Sequence, residues 1–200
     1  MAFTYFFRDM PVLELAIRHF IPYVTGRSKI YIWDAGCAMG PEPYSLSILL
    51  AESMGNFAFR NLQIIASDID ESGDFDKIID RGIYHEEPLS RIPPDLLAKY
   101  FSPASEKGYF KLDNSIINSV KYLRHDLLSL KPVRDDFSLI VCKNVLLHFQ
   151  QNERIEVIKM FYNSLAAGGY FVTEQTQKFP DEINYLFERV APDSHLFKKK

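Results

Sequence analysis

Hydrophobic positions along the chain follow two patterns, short apolar runs and longer stretches with helical spacing. Helical spacing follows Pro11 and Glu42, which predicts helices that end near Gly26 and Met54. Four almost wholly apolar runs predict buried strands over residues 29–34, 62–67, 120–123 and 137–142. Because strands and helices alternate, the pattern predicts an α/β fold with a mostly parallel, doubly wound sheet.

The region from about 84 to 121 breaks this alternation. It contains Pro88, Pro93 and Pro94 and predicts a short helix over 95–100, with short strands over 109–112 and 115–118. We interpret it as a small antiparallel β insertion within a single domain that covers residues 1–200.

The remaining elements close the sheet. A helix is predicted over 73–81, ending at Gly82, and another over 152–166. The pair Gly168-Gly169 should turn the chain into a strand over 170–174. Runs at 186–190 and 196–199 predict a final hairpin, although the spacing in the first run also fits a helix. We expect the last strand to run antiparallel to the others.

Composition excludes several classes of protein. The net charge is −3, with no long basic run except the last three lysines, so we expect no nucleic-acid partner. No apolar stretch approaches about 18 residues, so we expect no membrane insertion. Cys37 and Cys142 have no metal-ligand spacing, which favours two reduced thiols and no metal site. We expect a cytoplasmic monomer.

The turn between the first strand and its helix indicates a ligand. Gly36 and Gly40 read G-x-x-x-G rather than the dinucleotide pattern G-x-G-x-x-G, and Pro41 and Pro43 remove two backbone donors that a phosphate would need. Glu42 adds a negative charge there. It could simply cap the helix, or it could face a cationic adenosyl ligand such as S-adenosylmethionine. The same features argue against a nicotinamide dehydrogenase.

Polar residues also follow the other predicted strands. In an open α/β sheet, ligands bind across the carboxyl ends of the strands. Asp68 could accept hydrogen bonds from ribose hydroxyls, and Asp126 from an adenine amino group, with Leu127 as an apolar face. Lys143 and Asn144 follow the fourth strand, where the methionine end of such a ligand would lie.

Several motifs together resemble the catalytic domain of the CheR-type chemotaxis-receptor glutamate methyltransferases. They are Thr4-Tyr5-Phe6-Phe7-Arg8-Asp9, Trp33-Asp34-Ala35-Gly36-Cys37, Gly40-Pro41-Glu42-Pro43-Tyr44-Ser45, Ala66-Ser67-Asp68-Ile69-Asp70 and Cys142-Lys143-Asn144-Val145-Leu146-Leu147-His148-Phe149. The resemblance covers nearly the whole chain and implies a Rossmann-like class I fold. It implies S-adenosylmethionine as cofactor, S-adenosylhomocysteine as product, and O-methylation of glutamate side chains on the cytoplasmic helices of chemoreceptors.

The resemblance also implies a set of cofactor-binding residues, namely Thr4, Arg8, Gly36, Glu42, Asp68, Asp126, Leu127, Lys143 and Asn144. We predict Arg8 and His148 as the catalytic candidates. Arg8 can hold a carboxylate bidentately. His148 stands where the family has a tyrosine near the transferred methyl group, so it is either a polar wall of the methyl pocket or a structural residue.

Other departures leave alternatives open. Lys143 replaces the family's arginine, Pro41 replaces a glutamate, and the family's N-terminal helical domain does not precede Thr4 in this sequence. The chain could therefore be a cofactor-binding signalling module without receptor methylation, or a methyltransferase acting on the oxygen of a small molecule or another protein.

Overall fold

The structure is a computed structural model that describes residues 4–174, 176, 178–192 and 194–200. Its strands are β1 (Ile30–Ala35), β2 (Leu62–Asp68), β3 (Ile83–His85), β4 (Phe101–Pro103), β5 (Tyr109–Leu112), β6 (Val120–Arg124), β7 (Phe137–Cys142), β8 (Leu165–Thr173), β9 (Phe187–Arg189) and β10 (Leu196–Lys199). Its α-helices are α1 (Met10–Val24), α2 (Pro41–Phe59), α3 (Phe75–Arg81), α4 (Glu86–Leu89), α5 (Pro94–Tyr100), α6 (Asn114–Ile117) and α7 (Gln151–Ser164).

The main sheet has seven strands in the order β6-β2-β1-β7-β8-β10-β9. The first five run parallel, whereas β10 is antiparallel to both β8 and β9. This confirms the predicted doubly wound sheet and its antiparallel last strand. The direction of winding reverses at β1, whose two neighbours are β2 and β7, and such a reversal opens a crevice at the strand ends.

Apolar side chains cover both faces of the sheet. One cluster joins α1 and α2 to the sheet and includes Leu13, Phe20 and Leu46, while the other joins α7 to it and includes Trp33 and Phe161. β7 is buried at every position, as its continuous apolar run predicted. None of the helices in the described part of the chain combines the length and the apolarity needed to cross a membrane.

The small sheet has the order β3-β5-β4 and is antiparallel throughout, as predicted for the insertion. The predicted strand over 115–118 is wrong, because this segment is the helix α6. The Asp113 carboxylate accepts a hydrogen bond from the Ser115 N–H at 2.8 Å, which caps the helix start. The aspartate before this short segment is therefore a helix signal here.

β8 begins five residues earlier than predicted. The helix α7 ends at Ser164, and the strand continues from Leu165 through Gly168 and Gly169. A register shift opposite Phe137 and Leu139 accommodates the glycines, and Gly168 adopts a φ of +71°. The glycines thus form a bulge within the strand rather than a turn before it.

The C-terminal residues form the predicted hairpin, in which Phe197 is paired with Arg189. A 3₁₀ helix over Asp181–Leu186 precedes it, which accounts for the helical spacing in the same region.

The N-terminal segment packs into the core before α1 begins. The aromatic rings of Phe6 and Phe7 are buried, and Phe6 makes edge-to-face contacts with Tyr84 and Phe101 of the insertion. The Phe7 N–H donates to the Ser45 hydroxyl at 2.8 Å. These contacts anchor both phenylalanines in the core and bring the adjacent Arg8 to the cavity at the ends of the parallel strands.

Candidate functional site

The turn after β1 is fixed by backbone hydrogen bonds to the end of β2. The N–H groups of Gly36 and Cys37 donate to the Ser67 carbonyl at 2.7 and 3.0 Å, and the Ala38 N–H donates to the Asp68 carboxylate at 2.9 Å. Gly36 and Gly40 have φ values of +99° and +100°, a region that L side chains rarely adopt. The glycine spacing therefore allows a tight turn, which leaves the space above the sheet open.

A cavity of about 560 Å³ opens at the carboxyl ends of the parallel strands. It brings together all the predicted site residues, which are Thr4, Arg8, Gly36, Glu42, Asp68, Asp126, Leu127, Lys143, Asn144 and His148. The strand-end argument placed Asp68, Asp126, Lys143 and Asn144 near the turn of Gly36, because parallel strands end at the same edge of a sheet, whereas the family resemblance implied Thr4 and Arg8. Their roles toward a ligand stay predictions.

Glu42 lies in the first turn of α2 and contacts a cation from its own chain. Its Oε2 accepts a hydrogen bond from Lys143 Nζ at 2.9 Å, and this lysine side chain is only 2% exposed. Burial works to lower the pKa of Lys143, but the ion pairs with Glu42 and Asp9 outweigh it and the net shift is upward. The lysine is therefore a fixed positive charge beside the turn.

Arg8 approaches the cavity from the N-terminal segment. Its Nη2 donates to the Asn144 side-chain oxygen at 3.2 Å, so the segment is joined to the loop after β7. Asn144 adopts a φ of +60°, which asparagine tolerates better than most residues. Arg8 thus lines the cavity together with Asn144.

The residues after β6 form the far wall. The Asp126 carboxylate accepts the Leu128 N–H at 2.9 Å and so caps a short 3₁₀ helix over Leu127–Ser129. His125 also lines the cavity, and its Nε2 bonds to the Lys131 carbonyl at 2.8 Å. Asp126 therefore has a structural bond in addition to its predicted role at adenine.

Asp34 lies beneath the turn and was not predicted as a site residue. It is fully buried, and neither carboxylate oxygen has a hydrogen-bond partner among the described residues. Burial raises the pKa of Asp34 well above its usual value, with a further contribution from Glu42. The site thus combines several carboxylates with one buried ammonium.

Sequence reasoning missed further residues of the cavity and its surroundings. Those lining the cavity are Cys37, Ala38, Ser67, Ile69, His125, Leu128, Val145, Leu147 and Phe149. Asp9, which was named only as part of the Thr4–Asp9 motif, contacts Lys143 at 3.3 Å. Its position next to Arg8 was the one available signal.

The sheet and its cavity define a class of protein. The sheet is doubly wound, and its strand β10 is antiparallel. The cavity lies at the β1 turn and is lined by carboxylates rather than by phosphate-binding amides. This is the arrangement of class I S-adenosylmethionine-dependent methyltransferase domains. The fold is similar to the crystal structure of DszA carbon methyltransferase, with a TM-score of 0.51 and 17% identity over 82% of this chain and 35% of that one. This likeness concerns the fold alone.

A family model described as "CheR methyltransferase, SAM binding domain" matches residues 2–194, so the chain belongs to the CheR methyltransferase family. It is 31% identical over 83% of its length to "Chemotaxis protein methyltransferase 2" of Vibrio cholerae serotype O1. It is 28% identical over 96% of its length to "Chemotaxis protein methyltransferase" of Borreliella burgdorferi. The chain spans 58% and 69% of the lengths of these two proteins.

S-adenosylmethionine is therefore the cofactor, and the residues present fit it. The cavity volume lies within the range of about 300–1,000 Å³ usual for small-molecule sites. Asp68, Asp126, the apolar Leu127 and Glu42 all line the cavity. Pro41 and Pro43 leave few free amides at the helix start for a phosphate.

Proposed function

We propose that this chain methylates glutamate side-chain carboxylates of chemoreceptor proteins, with S-adenosylmethionine as methyl donor. The observation that carries the proposal is the single cavity lined by Gly36, Glu42 and the hydrogen-bonded pair of Arg8 and Asn144. Names of the similar Vibrio and Borreliella proteins support chemotaxis as the setting.

We propose that the cofactor lies along the strand ends. Asp68 accepts hydrogen bonds from the ribose, while Asp126 and Leu127 contact the adenine. Glu42 attracts the ammonium of the methionine part, with Thr4, Gly36 and Asn144 around it. The support is that all of these residues line one cavity in the order of the strands that carry them.

The reaction requires few catalytic groups from the protein. When bound, the cofactor supplies an electrophilic methyl group on its sulfonium. A glutamate acceptor has a pKa near 4.3 and is ionised at neutral pH, so no general base is required to prepare it. The protein's task is to place the carboxylate oxygen in line with the methyl group and to exclude water.

We assign this placement to Arg8 and His148. The Arg8 guanidinium lines the cavity and is positioned by Asn144, so it can hold the acceptor carboxylate through parallel N–H donors. His148 lines the same cavity and is exposed, at the end of the 3₁₀ helix Leu146–His148. We propose that it forms the polar wall on the acceptor side.

The test is transfer of a labelled methyl group. Protein incubated with radiolabelled S-adenosylmethionine and receptor cytoplasmic fragments should give methyl esters that are released by base, because glutamyl esters hydrolyse readily. Arg8→Lys serves as the matched variant, since it keeps the charge but loses the planar fork. We expect it to bind S-adenosylhomocysteine and to transfer far less label.

Binding of the cofactor without label on any of several receptors would instead favour a cofactor-binding signalling module. Label on a small carboxylic acid but on no receptor would favour a small-molecule methyltransferase. We place the enzyme in the cytoplasm, where the buried thiols of Cys37 and Cys142 remain reduced, and we propose that it acts as a monomer without a nucleic-acid partner.

A further inference from the structure

The ammonium of Lys143 is surrounded by acceptors from its own chain. A lysine has three N–H donors. Lys143 Nζ lies 2.9 Å from Glu42 Oε2, 3.3 Å from Asp9 Oδ2 and 3.4 Å from the Arg8 carbonyl oxygen. Each donor therefore has an acceptor within the protein, and the side chain is only 2% exposed.

This arrangement differs from the one that the resemblance implies. A residue that binds the cofactor directly needs a donor directed into the cavity. The three contacts of Lys143 run instead to the first turn of α2 and to the segment before α1, which we call the N-terminal strap (residues 4–9).

We propose that Lys143 is a positioning residue, which fixes the N-terminal strap to the cofactor turn so that Arg8 faces the acceptor, and is not itself a ligand of the cofactor. The part of this inference that concerns the acceptor rests on the proposed function. The part that concerns the strap does not.

The backbone of the strap explains why it needs such a contact. Phe7 and Asp9 have φ values of +58° and +54°, a left-handed conformation that is costly for residues other than glycine. Phe6 and Phe7 anchor one end in the core, and the Asp9 carbonyl accepts the Val12 N–H at the start of α1. Lys143 contacts the stretch between these anchors, which is the part that carries Arg8.

The surrounding charges also favour a positioning role for Lys143. Glu42 and Asp9 contact the ammonium directly, and the buried Asp34 interacts with it electrostatically. Removal of Lys143 would leave Glu42 and Asp34 without this counter-charge, and Asp9 would keep Arg8, whose Nε lies 3.9 Å from Asp9 Oδ2. Lys143→Met is therefore a variant that could lose its fold, and the primary test uses Asp9, whose side chain is 46% exposed.

The first experiment measures amide hydrogen exchange in Asp9→Asn without cofactor or acceptor. The Phe6 and Phe7 N–H groups are bonded to the Pro88 carbonyl and the Ser45 hydroxyl, so their exchange reports opening of the strap. We expect exchange about threefold to fivefold faster, which is the effect of losing a partly exposed ion pair. Asp74→Asn, which breaks the exposed pair with Lys77, is the control and should leave these amides unchanged.

The second experiment compares cofactor affinity with turnover. Asp9→Asn should bind S-adenosylhomocysteine within about twofold of the wild type but should turn over more slowly, because Arg8 is less well placed. Lys143→Arg in the otherwise unchanged protein should keep both properties, since a guanidinium can reach the same acceptors.

Two results would overturn the inference. One is unchanged exchange of the strap amides in Asp9→Asn. The other is that Lys143→Arg or Lys143→Met loses cofactor affinity while the amides of the strap exchange as slowly as in the wild type. If the wild type transfers no methyl group at all, the proposed function fails while the exchange result still decides the role of Lys143.

Discussion

Gly36 offers a sharp test of how the cofactor turn is built. Its φ of +99° disfavours any L side chain, and a Cβ placed there would lie 2.1 Å from Val145 Cγ2. Val145 lies in the loop after β7, just before the 3₁₀ helix Leu146–His148, and lines the cavity. Gly36→Ala should therefore impose two separate costs, backbone strain and displacement of Val145 from the cavity wall.

The two costs can be separated by Gly26→Ala. Gly26 has a similar φ of +82°, but a Cβ there would meet nothing within 4 Å. We expect Gly26→Ala to lower the free energy of unfolding by about 1–2 kcal/mol, the usual penalty of a left-handed L residue. Gly36→Ala should lose about 1–3 kcal/mol more, the usual penalty of overpacking.

Urea unfolding followed by Trp33 fluorescence measures both variants, since Trp33 is the only tryptophan and is fully buried in β1. The double variant Gly36→Ala with Val145→Ala removes the Cγ2 methyl group that clashes and should recover part of the loss relative to Val145→Ala alone. Equal destabilisation by Gly26→Ala and Gly36→Ala would refute the contact between the turn and Val145.

Three further predictions concern ionisation and the ligand. Burial and the charge of Glu42 raise the pKa of Asp34 above 3.8, so the contribution of Asp34 to stability is complete below that pH and is lost as the pH rises. The melting temperature of Asp34→Asn should therefore rise relative to that of the wild type between about pH 4 and pH 8. A difference that stays constant over this range would contradict the prediction. Asp68→Ala should weaken S-adenosylhomocysteine binding at least tenfold, about 1.4 kcal/mol by calorimetry, and unchanged affinity would remove the ribose role. His148→Tyr should leave that affinity intact and raise turnover in the label-transfer assay; loss of binding would instead make His148 a structural residue.

The main sheet could be predicted because its strands are buried on both faces. The run 137–142 is apolar throughout, and β7 has those same bounds. The short segments were harder. The run 115–118 carries no periodicity that distinguishes strand from helix, and the cap from Asp113 decided it. At Gly168 the sequence indicated a turn, whereas pairing with β7 extended the strand through it.

The candidate site was predictable to the extent that strand ends define it. Asp68, Asp126 and Asn144 each follow a strand, and the topology brings them to one edge. The partners of these residues were not predictable. Glu42 and Lys143 are 101 positions apart, and no local pattern links them. Asp9 likewise contacts Lys143 only because the phenylalanines before it are anchored in the core.

The pairing of β1 with β7 has a consequence for how the protein folds. Ile32 pairs with Leu139, so more than half of the 200-residue chain lies between two central neighbours in the sheet. Contacts between residues so distant in sequence form slowly, because the loop must close before they stabilise anything. During synthesis, β1 and β2 emerge long before β7, and the cavity lacks one wall until then. We therefore expect the ability to bind cofactor to appear late in refolding, after most of the helical signal has returned.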